Sequence, residues 1–154
     1  MSNKGVPAQP DEEKAKVNVE KYGRALMEAG WTAVPSTIIE RQRKLGLDAT
    51  DMNIILHLLA HWWQADNKPH PSKGRIADAL NVSPRTVQRR IARMEADGLI
   101  KREARSAVGK GSQTNRYSLE GLITAATPLA QEALEERATK KKRTRKMSGL
   151  RVVK

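Results

Sequence analysis

The segment from Ser72 to Gly98, SKGRIADALNVSPRTVQRRIARMEADG, has little freedom in how it folds. Ser72 is placed to cap a helix over KGRIADAL, with Ile76, Ala77 and Leu80 on one side. Asn81 supplies a tight turn, because asparagine tolerates left-handed backbone angles better than most residues. Ser83 caps a second helix, Pro84 takes its first position, where a missing N–H is harmless, and the helix runs to about Asp97 and ends at Gly98. Two helices joined by so short a turn must cross, which requires small or apolar residues where they meet. Ala77 lies at the crossing, Val82 in the turn, and Val87 and Ile91 beneath the second helix.

At about 100° per residue, Val87, Ile91 and Met94 fall together on the second helix and form its core side. Arg85, Arg89 and Ala92 fall opposite, with Thr86, Gln88 and Arg93 on the shoulders and Arg90 nearer the core edge. The outward face is therefore basic and amide-bearing. Arginine pairs with the O6 and N7 of guanine, glutamine with the N6 and N7 of adenine, and threonine meets a thymine methyl or a phosphate. Arginines are also ordinary solubilising residues on an exposed helix, so this face alone does not decide the matter.

The distribution of charge supports an anionic partner. The chain has 29 Lys and Arg against 17 Asp and Glu, a formal charge of +12. Residues 1–66 carry 8 basic and 9 acidic side chains, whereas residues 67–119 carry 12 basic and 4 acidic, and residues 120–154 carry 9 and 4. A localised excess is an electrostatic footprint; one that served solubility would be spread along the chain.

The rest of the chain organises around this segment. Residues 1–10 are polar and predict disorder. Residues 11–30 predict an N-terminal helix with Val19, Tyr22 and Leu26 on one stripe and Gly30 as its stop. WTAV, 31–34, suits a short strand, and Ser36 is placed to cap a short helix through Leu45. Asp48 caps a central helix whose Met52, Ile55, Leu56, Leu59 and Trp62 or Trp63 form a wide apolar stripe. Beyond Gly98, LIKREAR (99–105) and TNRYSL (114–119) flank a glycine-bearing loop and read as a β-hairpin with a basic tip. Residues 120–139 predict a helical extension divided at Pro128, and residues 140–154, with the run KKKRTRK, a solvated basic tail that binds DNA without sequence preference.

The two capped helices, followed by DGLIKRE and GKGSQTNRYSL, resemble the winged helix-turn-helix class over residues 31–119. The likeness is nearest to the winged domains of phage and plasmid replication initiators and of bacterial regulators such as the MarR group, although the wing lacks the Asp-Arg-Arg tip common in that group. The resemblance implies a mainly α fold with a small β-hairpin wing. It places the second helix, 83–97, in the major groove and the hairpin along the DNA backbone or in the adjacent minor groove. Carried over by position, Arg85, Thr86, Gln88 and Arg89 contact bases, while Lys73, Ser83, Arg93, Arg105, Lys110 and Arg116 hold phosphates. A sequence-specific duplex-DNA-binding regulator of transcription follows, with a replication-initiation or maintenance protein as the alternative, and a protein adaptor working through its terminal helices as a third class.

Other chemistry is thinly represented. There are no cysteines, so disulfides and cysteine-ligated zinc are excluded. His57 and His61 have the spacing of two metal ligands but lack the glutamate of a metalloprotease motif, and GKGS at 109–112 lacks the spacing of a phosphate-binding loop. No enzyme, cofactor or metal is expected. With no phenylalanine and few other aromatics, Trp62 and Trp63 are expected in the core and not as platforms for single-stranded bases. No apolar run is long enough for a membrane span, and a cytoplasmic, nucleoid-associated protein is expected. Finally, Val19, Tyr22, Leu26, Leu122, Ile123, Leu129 and Leu134 offer apolar stripes for a homodimer or another protein partner.

Overall fold

The computed structural model describes residues 12–105 and 113–149. The expectations for residues 1–10, the wing tip with Lys110, and residues 150–154 lie outside them. The chain divides into two compact units, 1–33 and 34–154.

In the first unit, α1 (Glu12–Tyr22) and α2 (Arg24–Ala29) replace the single helix expected over 11–30. Gly23 takes φ 82°, a left-handed-side conformation that interrupts helical continuation, although its N–H still reaches the carbonyl of Val19 at 2.8 Å. No residue from 16 to 33 is buried. WTAV forms no strand.

The second unit begins with α3 (Ser36–Glu40), a single turn. Pro35 is its N-cap, with no side-chain capping bond, so Ser36 is the first helical residue and not the cap. The chain then turns through 41–46 instead of continuing the helix to Leu45. Helix α4 (Ala49–Ala60) starts at a reciprocal capping box: the Asp48 carboxylate accepts from the N–H of Asp51, and Asp51 accepts from that of Asp48, both at 3.0 Å. Its buried face comprises Asp51, Met52, Ile54, Ile55 and Leu58, so the stripe is rotated from the one expected, with Leu56 and Leu59 at its margin. Trp62 packs partly on the core, but Trp63 is 71% exposed, against the expectation for both.

Helices α5 (Lys73–Leu80) and α6 (Pro84–Ala96) form where expected. The hydroxyls of Ser72 and Ser83 accept from the N–H groups of Arg75 and Thr86, both at 3.1 Å. Asn81 is left-handed at φ 52°, ψ 46°, and the N–H of Val82 returns to the carbonyl of Ala77 at 3.0 Å, closing the turn. The wing consists of β1 (Lys101–Glu103) and β2 (Arg116–Ser118), antiparallel, with Arg102 opposite Tyr117. The N–H of Tyr117 also reaches the carbonyl of the buried Pro69 at 2.9 Å, so the loop after α4 lies along the wing.

Helix α7 (Glu120–Gly149) is continuous, with Pro128 inside it and the basic run 140–146 in its last turns. Neither the division at Pro128 nor the nonhelical tail from residue 140 is observed. Ion pairs Arg41–Glu136 at 2.9 Å and Lys44–Glu132 at 2.7 Å tie α7 to the turn that follows α3. Leu122 is fully buried and Leu129 packs on the core, which removes half of the α7 stripe anticipated for a partner; Ile123 and Leu134 stay exposed. One core unites Ile54, Ile55 and Leu58 of α4, Ile76 and Ala77 of α5, Val87, Ile91 and Met94 of α6, Tyr117 of the wing and Leu122 of α7. None of the described helices is long and apolar enough to cross a membrane.

Candidate nucleic-acid interface

Helix α6 divides sharply between two faces. Val87, Ile91 and Met94 are buried, while Arg85, Gln88, Arg89 and Ala92 are exposed. Burying three large apolar side chains at about 1.5–3 kcal/mol each fixes which way the helix rolls, and the exposed set follows from that geometry. Thr86 is half-buried, and its hydroxyl lies 2.9 Å from that of Ser83, so both belong to the cap of this helix.

Several of the residues expected to contact DNA are bonded to one another or to the fold. Lys73 Nζ donates to Gln88 Oε1 at 3.1 Å, joining an expected phosphate contact to an expected base reader. Lys73 also lines a groove of about 390 Å³ with Ser72, Gly74, Pro84, Thr114 and Asn115. The groove brings together the starts of α5 and α6 and the approach to β2. Helix N-termini carry partial positive charge and present free amides, so this is an anion-favouring surface. Arg116 stands exposed on β2, and Arg105 is half-buried beyond β1.

Arg93 is placed differently. Its guanidinium is bonded to the carboxylate of Asp51 and reaches the carbonyl of Gly46 at 3.2 Å. Arg90 is bonded to Asp48 and lies 3.7 Å from the other Asp51 oxygen, Oδ1, which has no hydrogen bond. Two arginines of α6 thus bind the two carboxylates that cap α4. The backbone bond from Asp51 holds the Asp48 carboxyl below its ordinary range, with Arg90 adding to the effect. Burial pushes Asp51 up, against the pull of the backbone bond and of both arginines. The DATD spacing and the position of Arg90 near the core edge were both visible in the sequence, but their meeting required the α4–α6 packing.

The wing is fixed to the same helix. Glu95 accepts from the backbone N–H of Arg102 at 2.9 Å and from its Nε at 2.7 Å, and these bonds hold the Glu95 carboxyl low. Lys68 and Glu103 pair at 2.6 Å across the loop and β1. His61 Nδ1 lies 2.8 Å from the carbonyl of His57, and no metal-binding cluster occurs among the described residues.

Gly121, which the sequence did not single out, marks a close approach. A Cβ there would lie 1.9 Å from the carbonyl oxygen of Gly98, and the N–H of Leu122 reaches the carbonyl of Leu99 at 2.8 Å. Together with the φ of 74° at Gly98, this seats the start of α7 directly against the turn that ends α6.

Residues 45–100 match the model of a family described as a helix-turn-helix domain. No curated protein matches the chain. Among solved structures, the N-terminal domain of DnaD from Geobacillus kaustophilus HTA426 is 18% identical with a TM-score of 0.49, over 87% of this chain and 99% of that one. The S. aureus MepR–DNA complex is 18% identical with a TM-score of 0.43, over 92% and 100%. YusO from Bacillus subtilis is 16% identical with a TM-score of 0.40, over 91% and 99%. Residues 45–100 match that helix-turn-helix domain model, and the capped α5–turn–α6 pair with the hairpin that follows it has the winged helix-turn-helix architecture.

Proposed function

We propose that the chain binds duplex DNA sequence-specifically and regulates transcription. The observation that carries this reading is the exposed row Arg85, Gln88 and Arg89 on a helix whose opposite face is locked into the core. These three side chains, with Thr86, face base edges in the major groove. Lys73, Arg116 and Arg105, with the start of α5, hold phosphates. Ser83 acts through the cap of α6, and the contribution of Arg93 is to hold α6 in place. Lys110 at the wing tip completes the backbone contacts. Two copies on one site would meet major grooves about 34–36 Å apart and select an inverted repeat.

Equilibrium binding to duplex DNA across a salt series is the direct test. Phosphate neutralisation gives a slope of about −0.9 per contact in log affinity against log salt, and roughly 6–10 contacts are expected. A slope near zero would remove the DNA reading. Genome-wide mapping of bound DNA separates promoter occupancy, expected here, from occupancy of a replication origin, which would replace a regulator with an initiator.

A further inference from the structure

Beyond Arg89 the outward side of α6 changes character. Of residues 90–96, Ile91 and Met94 are buried in the core, and the three charged side chains are each bonded to another element: Arg90 to Asp48, Arg93 to Asp51, and Glu95 to Arg102 of β1. The two residues left are alanines, Ala92 and Ala96, both exposed. At about 100° per residue, Ala92 falls within roughly 20° of Arg85, two turns earlier, and between the lines of Gln88 and Arg89. It stands on the midline of the face that enters the major groove in the reading above.

Alanine needs no ligand to explain it on a helix, since its helix propensity is the highest of any residue. The surroundings of Ala92 are what give it a consequence. Long free side chains at 90, 93 and 95 would hold the second half of α6 off a duplex by their own length and hydration. With all three drawn back onto Asp48, Asp51 and Arg102, the helix meets the groove there with a single methyl group. A methyl group gains nothing from a donor or acceptor on a base edge. The apolar group that base pairs display in the major groove is the 5-methyl of thymine, and alanine is among the residues that match it.

We propose that Ala92 reads a thymine methyl and is a specificity-determining residue beyond the arginine and glutamine contacts. The inference rests on the major-groove reading of α6 and deepens it by naming a further base. Ala92 lies about 4.5–6 Å along the helix axis from Arg89 and Gln88, so its thymine falls roughly one or two base pairs from the pair that either of them reads.

Deoxyuridine differs from thymidine only in lacking this methyl, so it isolates the contact. In the duplex selected from a randomised pool, each thymine is replaced by deoxyuridine in turn and the affinities are compared by competition. One thymine, in the stated position relative to the pair whose preference Arg89→Ala or Gln88→Ala flattens, should weaken binding about fourfold on replacement, the value of burying one methyl-sized group. Ala92→Gly should bring the ratio of thymine to deoxyuridine affinities at that position to unity and leave the ratios at other thymines unchanged. Glycine weakens a helix interior, but a smaller folded fraction lowers both affinities alike and cancels in the ratio. Ala92→Gln, which keeps a good helix former at the position, should move the preference at that base pair away from thymine. A selected site with no methyl-sensitive thymine there overturns the proposal and leaves the DNA reading intact. So does a sensitive thymine whose ratio survives Ala92→Gly, or whose preference survives Ala92→Gln. Failure to select any sequence would remove base reading by α6 altogether, and this contact with it.

Discussion

The guanidinium of Arg93 is bonded to the wholly buried carboxylate of Asp51, 42 positions away in the chain. This is the main electrostatic tie between α4 and the outward-facing helix α6. Arg93→Ala leaves the buried Asp51 carboxylate with the Asp48 N–H and the more distant Arg90, and should cost about 1–3 kcal/mol in urea unfolding. The salt slope of DNA binding should be unchanged, whereas a lost phosphate contact would reduce it by about 1. A reduced slope with unaltered stability would return Arg93 to the DNA backbone.

The bond between Lys73 and Gln88 predicts an effect that a simple division into reading and holding residues does not. Lys73→Met frees the Gln88 carbonyl, so the side-chain amide can turn over. Selection from randomised duplexes should show an altered preference at the base pair Gln88 reads, on top of weaker binding overall. Uniform weakening alone would mean that the bond does not orient Gln88.

For the reading helix itself, Arg85→Ala or Arg89→Ala should each cost about 1–3 kcal/mol on the preferred site and flatten the preference among sequences. Competition titrations with matched and mismatched duplexes measure both. An intact preference would move base recognition off α6.

Acid should destabilise the second unit. Asp48, Glu95, Glu103 and Glu132 are all held low, the first mainly by a backbone bond and the others by bonds from Arg102, Lys68 and Lys44. Depressed carboxyls contribute stability that is present above the ordinary carboxylate range, about pH 4, and lost as pH falls through their lower folded values. Asp51 acts in the opposite sense: raised by burial, its contribution is present at low pH and lost as pH rises. With the depressed groups prevailing, urea midpoints should fall as the pH drops below about 4; midpoints that rise instead would show that Asp51 dominates. Glu95→Gln should flatten that fall, and an unchanged profile would show that the Glu95–Arg102 bonds contribute little.

The basic turns of α7 should respond to polyanions. Lys141 follows Arg137 by four positions, as Arg145 follows Lys141 and Lys146 follows Lys142, and like charges at that spacing weaken a helix. Duplex DNA or added salt should therefore deepen the helical circular dichroism signal. A truncation after Thr139 should abolish that increment and lower nonspecific affinity while preserving the preferred sequence. An increment that survives the truncation would place the ordering elsewhere.

How much was legible in the sequence follows from the range of each interaction. Ser72, Asn81, Ser83 and Gly98 act within a few residues of themselves, so the helix-turn-helix and its outward face could be read directly. The break at Gly23 was missed because Val19, Tyr22 and Leu26 keep helical spacing across it; periodicity records faces and not backbone angles. Pro128 failed as a divider for the opposite reason, since packing of Leu122, Ala126 and Leu129 holds the helix through it. The pairing of Arg93 with Asp51 was not legible because its partner lies on another helix. Trp63 shows that periodicity does not say which of two adjacent large aromatics turns inward: Trp62 packs partly on the core and Trp63 faces out.

The contact between Gly121 and Gly98 has a mechanical consequence. Side-chain contacts absorb displacement by changing rotamers, but here main chain rests on main chain, with no side-chain rotamer to yield. A tilt at the start of α7 therefore bears directly on the turn at Gly98 that follows α6, as on a fulcrum without clearance. Whatever grips α7 thereby gains purchase on the angle at which α6 is presented.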